Sequence, residues 1–409
     1  MTTHYCDRAC QRMHWQTHKP ACKESPIYKA NQELAALKTM LEKQEEALGV
    51  DHEETLRTVN NIGRHLEGQG KLKEAEVYYR RAIEGFEMTQ GRDHPDTLLS
   101  VLDLGILLQA QGKLDNAEEH YRRSLEGFER TLGRDHPKTL TSMNNLGGLL
   151  RAQGKIALAE PYYRLALEGS ERTLGHDHPD TLVSVSNMGL LLEEQGELDL
   201  AEPLLRRALE GLERTLGWDH PDTLTSANHL GFLLQDQGKL DLAEPCFRRA
   251  LEGQERTLGR DHPDTLRSVS NLGLLLKEQG KLSLAETYYR RALEGFERTL
   301  GRKHPNTLTL VGNLGSLLQA QGKLDLAEPY YLRALKGSER TLGRDHPGTL
   351  TLVDNLGLLL QAQGKLELAE THYRRAVEGF VRTLGRDHPD TRVAASRLMG
   401  LLETMEEKK

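Results

Sequence analysis

Apolar residues return along this chain in a fixed rhythm. From His262 to Gly301 the sequence reads HPDTLRSVSNLGLLLKEQGKLSLAETYYRRALEGFERTLG. Leu266, Val269, Leu272, Leu275 and Leu276 share one helical face, which predicts an amphipathic first helix opened by Pro-Asp. Gln279-Gly280 closes it, with Gly suited to a left-handed C-terminal position. A second helix is predicted from about Lys281 to Leu300, with Leu284, Ala285, Tyr289, Ala292, Leu293 and Phe296 inward and Gly301 as its stop. A glycine inside a helix costs about 1 kcal/mol relative to Ala. The recurrence of Gly273 and Gly295 from copy to copy therefore predicts close helix–helix contact at those points.

The opening histidine recurs at His52, His94, His136, His178, His220, His262, His304, His346 and His388, every interval being 42 residues. Such a period marks a repeat array, in which each unit buries its apolar face only against its neighbours. An array of this kind need not split into globular domains as it lengthens, so the 409-residue length does not by itself predict two or three. The expected fold is all-α: a right-handed superhelical solenoid of 42-residue helix-turn-helix units over residues 50–404. Residues 26–49 read as a capping helix, a degenerate second helix with polar Lys38, Lys43, Gln44 and Glu45. The array closes on a lone first helix at 388–404, where Arg392 replaces the buried Leu and Arg397 the recurring Asn, exposing it to water. Residues 405–409 are a charged tail.

Residues 1–25 stand apart. Cys6, Cys10, His18 and Cys22 are spaced C-x3-C-x7-H-x3-C, three thiolates and one imidazole, a complete tetrahedral set for structural zinc. So short a segment holds a fold only with such a staple. Tyr5-Cys6, Cys10-Gln11, Trp15, His18-Lys19 and Cys22-Lys23 resemble the C-terminal half of a MYND-type zinc finger. That family has two zinc sites with interleaved ligands, and its first two Cys pairs are absent here. Interleaving would assign Cys6/Cys10 and His18/Cys22 to different sites; a single rearranged site and a metal-free remnant are the alternatives.

The recurring Leu-Gly-x-x-Leu, followed by Ala, Tyr and Ala, resembles the tetratricopeptide repeat (TPR). The longer second helix reaching Thr-Leu-Gly is similar to the kinesin light chain type. The resemblance covers residues 50–404. Asn61, Asn145, Asn187, Asn271, Asn313 and Asn355 form a ladder, with Asp103 and His229 on its other two rungs. Asn is a mediocre helix former, so its persistence there wants a reason. Its amide can grip an extended peptide backbone or bond a neighbouring helix within the scaffold. The resemblance implies the first role, along a concave groove. Four residues earlier, where the family often places basic residues for acidic cargo, only Arg57 and Arg267 are basic; Leu99, Thr141, Val183, Thr225, Thr309 and Thr351 fill the other rungs. A milder, more apolar groove is expected.

Composition narrows the function class. A net charge of −7 leaves no basic footprint for nucleic acid. The apolar runs are too short for membrane insertion. The N-terminus holds Cys, His, Arg and Lys where a signal peptide has an apolar core, so a cytoplasmic protein is expected, with the nucleus as the alternative. The spaced histidines belong to loops or caps, since stacked helices lie about 8–10 Å apart and no ion joins two of them. The Arg80-Arg81 and Arg290-Arg291 pairs read as a solvated face, Cys246 as packing and Trp218 as an exposed loop contact. No nucleophile elbow, phosphate-binding loop or His-Glu-x-x-His motif occurs. The expected function is a non-enzymatic scaffold that binds a protein or peptide partner along the groove. One alternative is a structural adaptor whose N-terminal finger recruits the partner. The other is a kinesin light chain-type cargo adaptor, although residues 26–49 are short for the coiled coil it would need.

Overall fold

The computed structural model describes residues 26–406, and within them the chain is helical, with no strand. The eighteen helices of the described residues fall into two units, residues 1–238 and 239–409. The N-terminal unit holds α1 (Pro26–Leu48), α2 (Glu53–Gly68), α3 (Leu72–Gln90), α4 (Pro95–Ala110), α5 (Leu114–Leu132), α6 (Pro137–Ala152), α7 (Ile156–Leu174), α8 (Pro179–Glu194), α9 (Leu198–Leu216) and α10 (Pro221–Asp236). The C-terminal unit holds α11 (Leu240–Thr257), α12 (Pro263–Glu278), α13 (Leu282–Thr299), α14 (Pro305–Ala320), α15 (Leu324–Thr341), α16 (Pro347–Ala362), α17 (Leu366–Leu384) and α18 (Pro389–Glu406). Within each unit first and second helices alternate and pack in chain order.

The histidines are caps. In each first helix from α2 to α16 the histidine before it is the N-cap, in extended conformation, and its ring Nδ1 accepts the N–H two residues on. At α18 His388 accepts likewise from Asp390 at 3.2 Å. This satisfies one of the four amides that a helix start leaves orphaned. In several repeats the Thr of His-Pro-x-Thr closes the loop from the other side, as where Thr97 Oγ1 donates to the Gly91 carbonyl at 2.8 Å. Gly91 has φ +95, a backbone that side chains other than Gly's resist.

The mid-helix glycines are sockets. A Cβ on Gly295 would lie 2.4 Å from Leu266 Cδ2, and one on Gly273 would lie 2.8 Å from the Tyr289 ring. Leu266 from the first helix thus seats against the second, and Tyr289 from the second against the first. Tyr79, Tyr121, Tyr163, Tyr289, Tyr331 and Tyr373 are all fully buried, each removing a large apolar area from water.

Three expectations need correcting. Leu284 is 41% exposed rather than inward. The buried stripe of α13 runs through Ala285, Tyr289, Ala292 and Phe296, and Leu284 lies one residue, about 100° of helix, off it. Arg397 does not simply face water: its guanidinium pairs with Asp354 on α16, whose carboxyl burial pushes above the usual range against the pull of Arg397. The Arg-Arg pairs are not merely solvated. Arg290 holds Glu286 on its own helix at 2.7 Å, and Arg291 holds Glu255 on α11 at 2.5 Å. Among the other substituted rungs, Trp218 is 64% exposed and Cys246 half-buried.

Second helices are also clamped to the repeat that follows. Glu76 on α3 accepts from Arg80 on its own helix, from Gln111 at 3.0 Å and from Lys113 at 3.3 Å. The Arg80 bond leads in holding this carboxyl down to about 2. The motif recurs at Glu118, led by Arg122, and at Glu244, led by Lys281, each also held at about 2.

Candidate functional site

Packing the Leu and Tyr faces of each repeat inward leaves the opposite face of the first helices to carry the variable rungs. First helices of adjacent repeats also touch one another directly in each unit. What happens on that face depends on the residue just ahead of each Asn rung.

In the N-terminal unit that residue is often polar and reaches across to the next first helix. Asn60 Nδ2 donates to Asp103 Oδ2 at 2.7 Å. Arg64 grips the same carboxylate with Nε on Oδ2 at 2.8 Å and Nη2 on Oδ1 at 3.1 Å. Asn144 Nδ2 donates to Ser184 Oγ at 2.7 Å, and Asn187 Nδ2 donates to Asn144 Oδ1 at 3.3 Å. Ser186 Oγ lies 3.0 Å from His229 Nδ1. Asp103, Asn187 and His229 are therefore parts of the scaffold. Asn61 and Asn145 differ: their side chains make no hydrogen bond among the described residues, Asn61 being exposed and Asn145 half-buried.

Arg57 does not offer a free cation. Its Nη2 lies 2.8 Å from Asp96 Oδ2 and 2.6 Å from Glu53, and the Asp96 hydrogen bond raises the guanidinium above its ordinary value. Arg57, Asn61, Arg64 and Leu99 border a depression of about 170 Å³ between α2 and α4.

In the C-terminal unit the residue ahead of the rung is Ser270, Gly312 or Asp354, of which only Asp354 reaches across, to Arg397 on α18; Asn271, Asn313 and Asn355 themselves make no side-chain hydrogen bond among the described residues. All three are half-buried, one amide per successive first helix. Arg267 is held by Asp264 at 3.1 Å. Near the other end of these helices Lys277 Nζ donates to Ser316 Oγ at 2.6 Å, and burial lowers the Lys277 ammonium.

The face thus brings together, per unit, Asn61 and Asn145 or Asn271, Asn313 and Asn355 as open amides, and withholds Asn187, Arg57 and Arg267. Sequence reading missed Asn60, Arg64, Asn144 and Ser186. The signal for Asn60, Asn144 and Ser186 was a polar residue at a place that other repeats fill with Leu102 or Gly312, and for Arg64 a cation where other repeats carry Ile106, Leu190 or Leu274. Cys6, Cys10, His18 and Cys22 lie outside the described residues, and among those described no His/Cys/Asp/Glu group suits a metal ion. No described helix is long and apolar enough to cross a membrane.

Comparison with curated proteins returns no match. Among solved structures the chain is similar to a Rap protein complexed with competence and sporulation factor, at 18% identity and TM-score 0.52, over 87% of this chain and 99% of that one. It is similar to the apo form of RapI at 16% identity and TM-score 0.51, over 71% and 99%. BtubC (BKLC) from P. vanneervenii matches at 22% identity and TM-score 0.45, over 56% and 92%. The first two likenesses are of fold. The MYND finger family model matches residues 1–22. Tetratricopeptide repeat models match residues 55–96 and then 96–171, 143–214, 222–298, 270–336, 306–380 and 351–407. With most of its length covered by those matches, this chain belongs to the tetratricopeptide repeat family.

Proposed function

We propose that the chain is a non-enzymatic protein-interaction scaffold whose first-helix faces each hold an extended peptide segment of a partner. The observation that carries this reading is the set of open amides, Asn61 and Asn145 in one unit and Asn271, Asn313 and Asn355 in the other. An amide without an internal partner offers a donor pair and an acceptor to a peptide backbone. Neighbouring helices lie about 8–10 Å apart and an extended chain advances about 3.3 Å per residue, so the successive amides Asn271, Asn313 and Asn355 would meet about every third residue of the ligand. With Arg57 and Arg267 already paired to carboxylates, the proposed ligand is selected by backbone and apolar contacts more than by acidity.

The test is peptide display against the intact chain, followed by the triple variant Asn271→Ala, Asn313→Ala, Asn355→Ala. Selected peptides should lose at least about tenfold in affinity, one or more hydrogen bonds' worth, while thermal unfolding stays put. Loss of folding in parallel with binding would assign these amides to the scaffold.

A second reading rests on the match of residues 1–22 to the MYND finger: the N-terminal segment recruits the partner and the repeats space it. Cys6, Cys10, His18 and Cys22 would hold the ion, a donor set suited to zinc, which would supply folding energy rather than chemistry. Purified under reducing, chelator-free conditions, the chain should then carry zinc and lose its partners when residues 1–25 are removed. A zinc content near zero dismisses the finger.

A further inference from the structure

One repeat departs from the rest at three places, all bordering one cleft. Every other loop ahead of a first helix has Asp two residues after its Gly, as in Gly259-Arg260-Asp261; here the sequence is Gly301-Arg302-Lys303. The second helices carry Glu at Glu84, Glu126, Glu168, Glu210, Glu252, Glu294 and Glu378, but Lys336 in α15. They carry Arg at Arg290 and Arg374, but Leu332 in α15.

The first of these changes breaks an ion pair that recurs in both units. Arg214 holds Asp177 at 2.7 Å, and Arg130, Arg172, Arg298 and Arg382 hold Asp93, Asp135, Asp261 and Asp345. Arg340 stands at the same point, and the place of its carboxylate is taken by Lys303. Lys303, Lys336 and Arg340 border a cleft of about 490 Å³ floored by Leu308 and Leu332. None of the three cations has a carboxylate within ion-pair distance among the described residues. Arg302 and Arg333 also line the cleft but share Glu297, at 3.7 and 2.6 Å. A chain of net charge −7 has here gathered three unpaired cations around an apolar floor.

We propose that this cleft binds a phosphorylated side chain of a partner peptide, with an adjacent apolar residue on Leu308 and Leu332. A phosphoryl group brings close to two negative charges and three acceptor oxygens in one compact group, enough to answer three converging cations, whereas a carboxylate brings one charge. Arg340, freed of its usual Asp, can offer its planar fork to two phosphate oxygens, with Lys303 and Lys336 as point charges beside it. The cleft volume suits a side chain and its neighbours rather than a long segment. This site lies on α15 and the loop before α14, not on the Asn rungs, so it stands or falls independently of the first-helix reading.

The test is fluorescence anisotropy of the intact chain with a labelled Ala-Leu-phosphoserine-Leu-Ala peptide, its unphosphorylated form and its Glu form. The double variant Lys303→Asp, Lys336→Glu restores what neighbouring repeats carry, so its unfolding temperature should not change. The phosphopeptide should bind at least about tenfold tighter than either control, and the double variant should abolish that preference. Arg340→Lys should weaken binding several-fold while keeping the charge. Equal binding of the three peptides, or a phosphopeptide affinity untouched by the double variant, overturns the proposal. So does capture of phosphatidylserine vesicles that the double variant abolishes while no peptide preference exists, which would make the cleft a membrane contact.

Discussion

Asn60 and Ser270 occupy the same place in their repeats, one residue ahead of an Asn rung, and behave differently. Asn60 reaches the Asp103 carboxylate on the next first helix, where Arg64 joins it. Ser270 makes no side-chain hydrogen bond among the described residues, and its counterpart one repeat on is Gly312. Asn144 and Ser186 follow Asn60 by bonding toward the next helix. The N-terminal unit therefore commits much of its rung polarity to its own seams, while in the C-terminal unit only Asp354, paired with Arg397 on the last helix, does the same. A polar residue on a repeat surface is thus not in itself a binding feature; whether the neighbouring side chain already claims it decides.

The largest effect should come from breaking the committed side of that contrast. Asp103 is only 7% exposed and answers both Asn60 and Arg64. Asp103→Ala leaves a buried amide and a guanidinium without their acceptor. Because the Arg64 side chain is 52% exposed and water can solvate it, the expected cost is about 2 kcal/mol rather than the larger penalty of a fully buried broken pair. Asn271→Ala, on the uncommitted side, should shift stability by less than about 0.5 kcal/mol. Denaturant unfolding with hydrogen exchange read on the peptides of α2, α4 and α12 checks both. Equal costs at the two sites would erase the distinction between the units.

Much of this architecture was legible from periodicity alone: the helix pairs, the histidine starts, and the glycine sockets at Gly273 and Gly295. Those features are local or lie within one repeat, so spacing along the chain fixes them. The offset of 43 residues between Asn60 and Asp103 depends on how adjacent first helices register, which a period of 42 does not reveal. The pairing of Arg397 with Asp354 was hidden for the same reason. Lys303 was visible as a departure from its repeat, but that it faces Arg340 follows only from the Arg–Asp contacts made elsewhere. The Asn ladder was visible in the sequence as a recurring position of the first helices. Asn187 left it because its neighbour across the seam is Asn144.

A smaller effect sharpens the same contrast near the other end of the first helices. Glu67, Gln109, Gln319 and Gln361 each accept from the hydroxyl of a buried Tyr, with Glu67 taking Tyr79 at 2.7 Å and Gln361 taking Tyr373 at 2.9 Å. Glu193 stands at this position in α8, but the residue twelve further on is Leu205, which has no hydroxyl to give. Burial, then the nearby Asp236, pushes its carboxyl up to about 7, with Glu194 adding and Arg151 opposing. The sign follows from linkage: a carboxyl whose folded value is raised binds its proton more tightly in the folded state. Its contribution is therefore harmless below about pH 4.5 and grows steadily more destabilising as pH rises to about 7. Glu193→Gln removes the charge and keeps the shape. At pH 8 the variant should be more stable by about 1 kcal/mol, the full shift being discounted for partial solvation, and at pH 4 it should match the parent. Paired thermal melts at the two pH values measure this directly. A gain of the same size at both would mean that packing, not the missing proton, separates Glu193 from its glutamine counterparts.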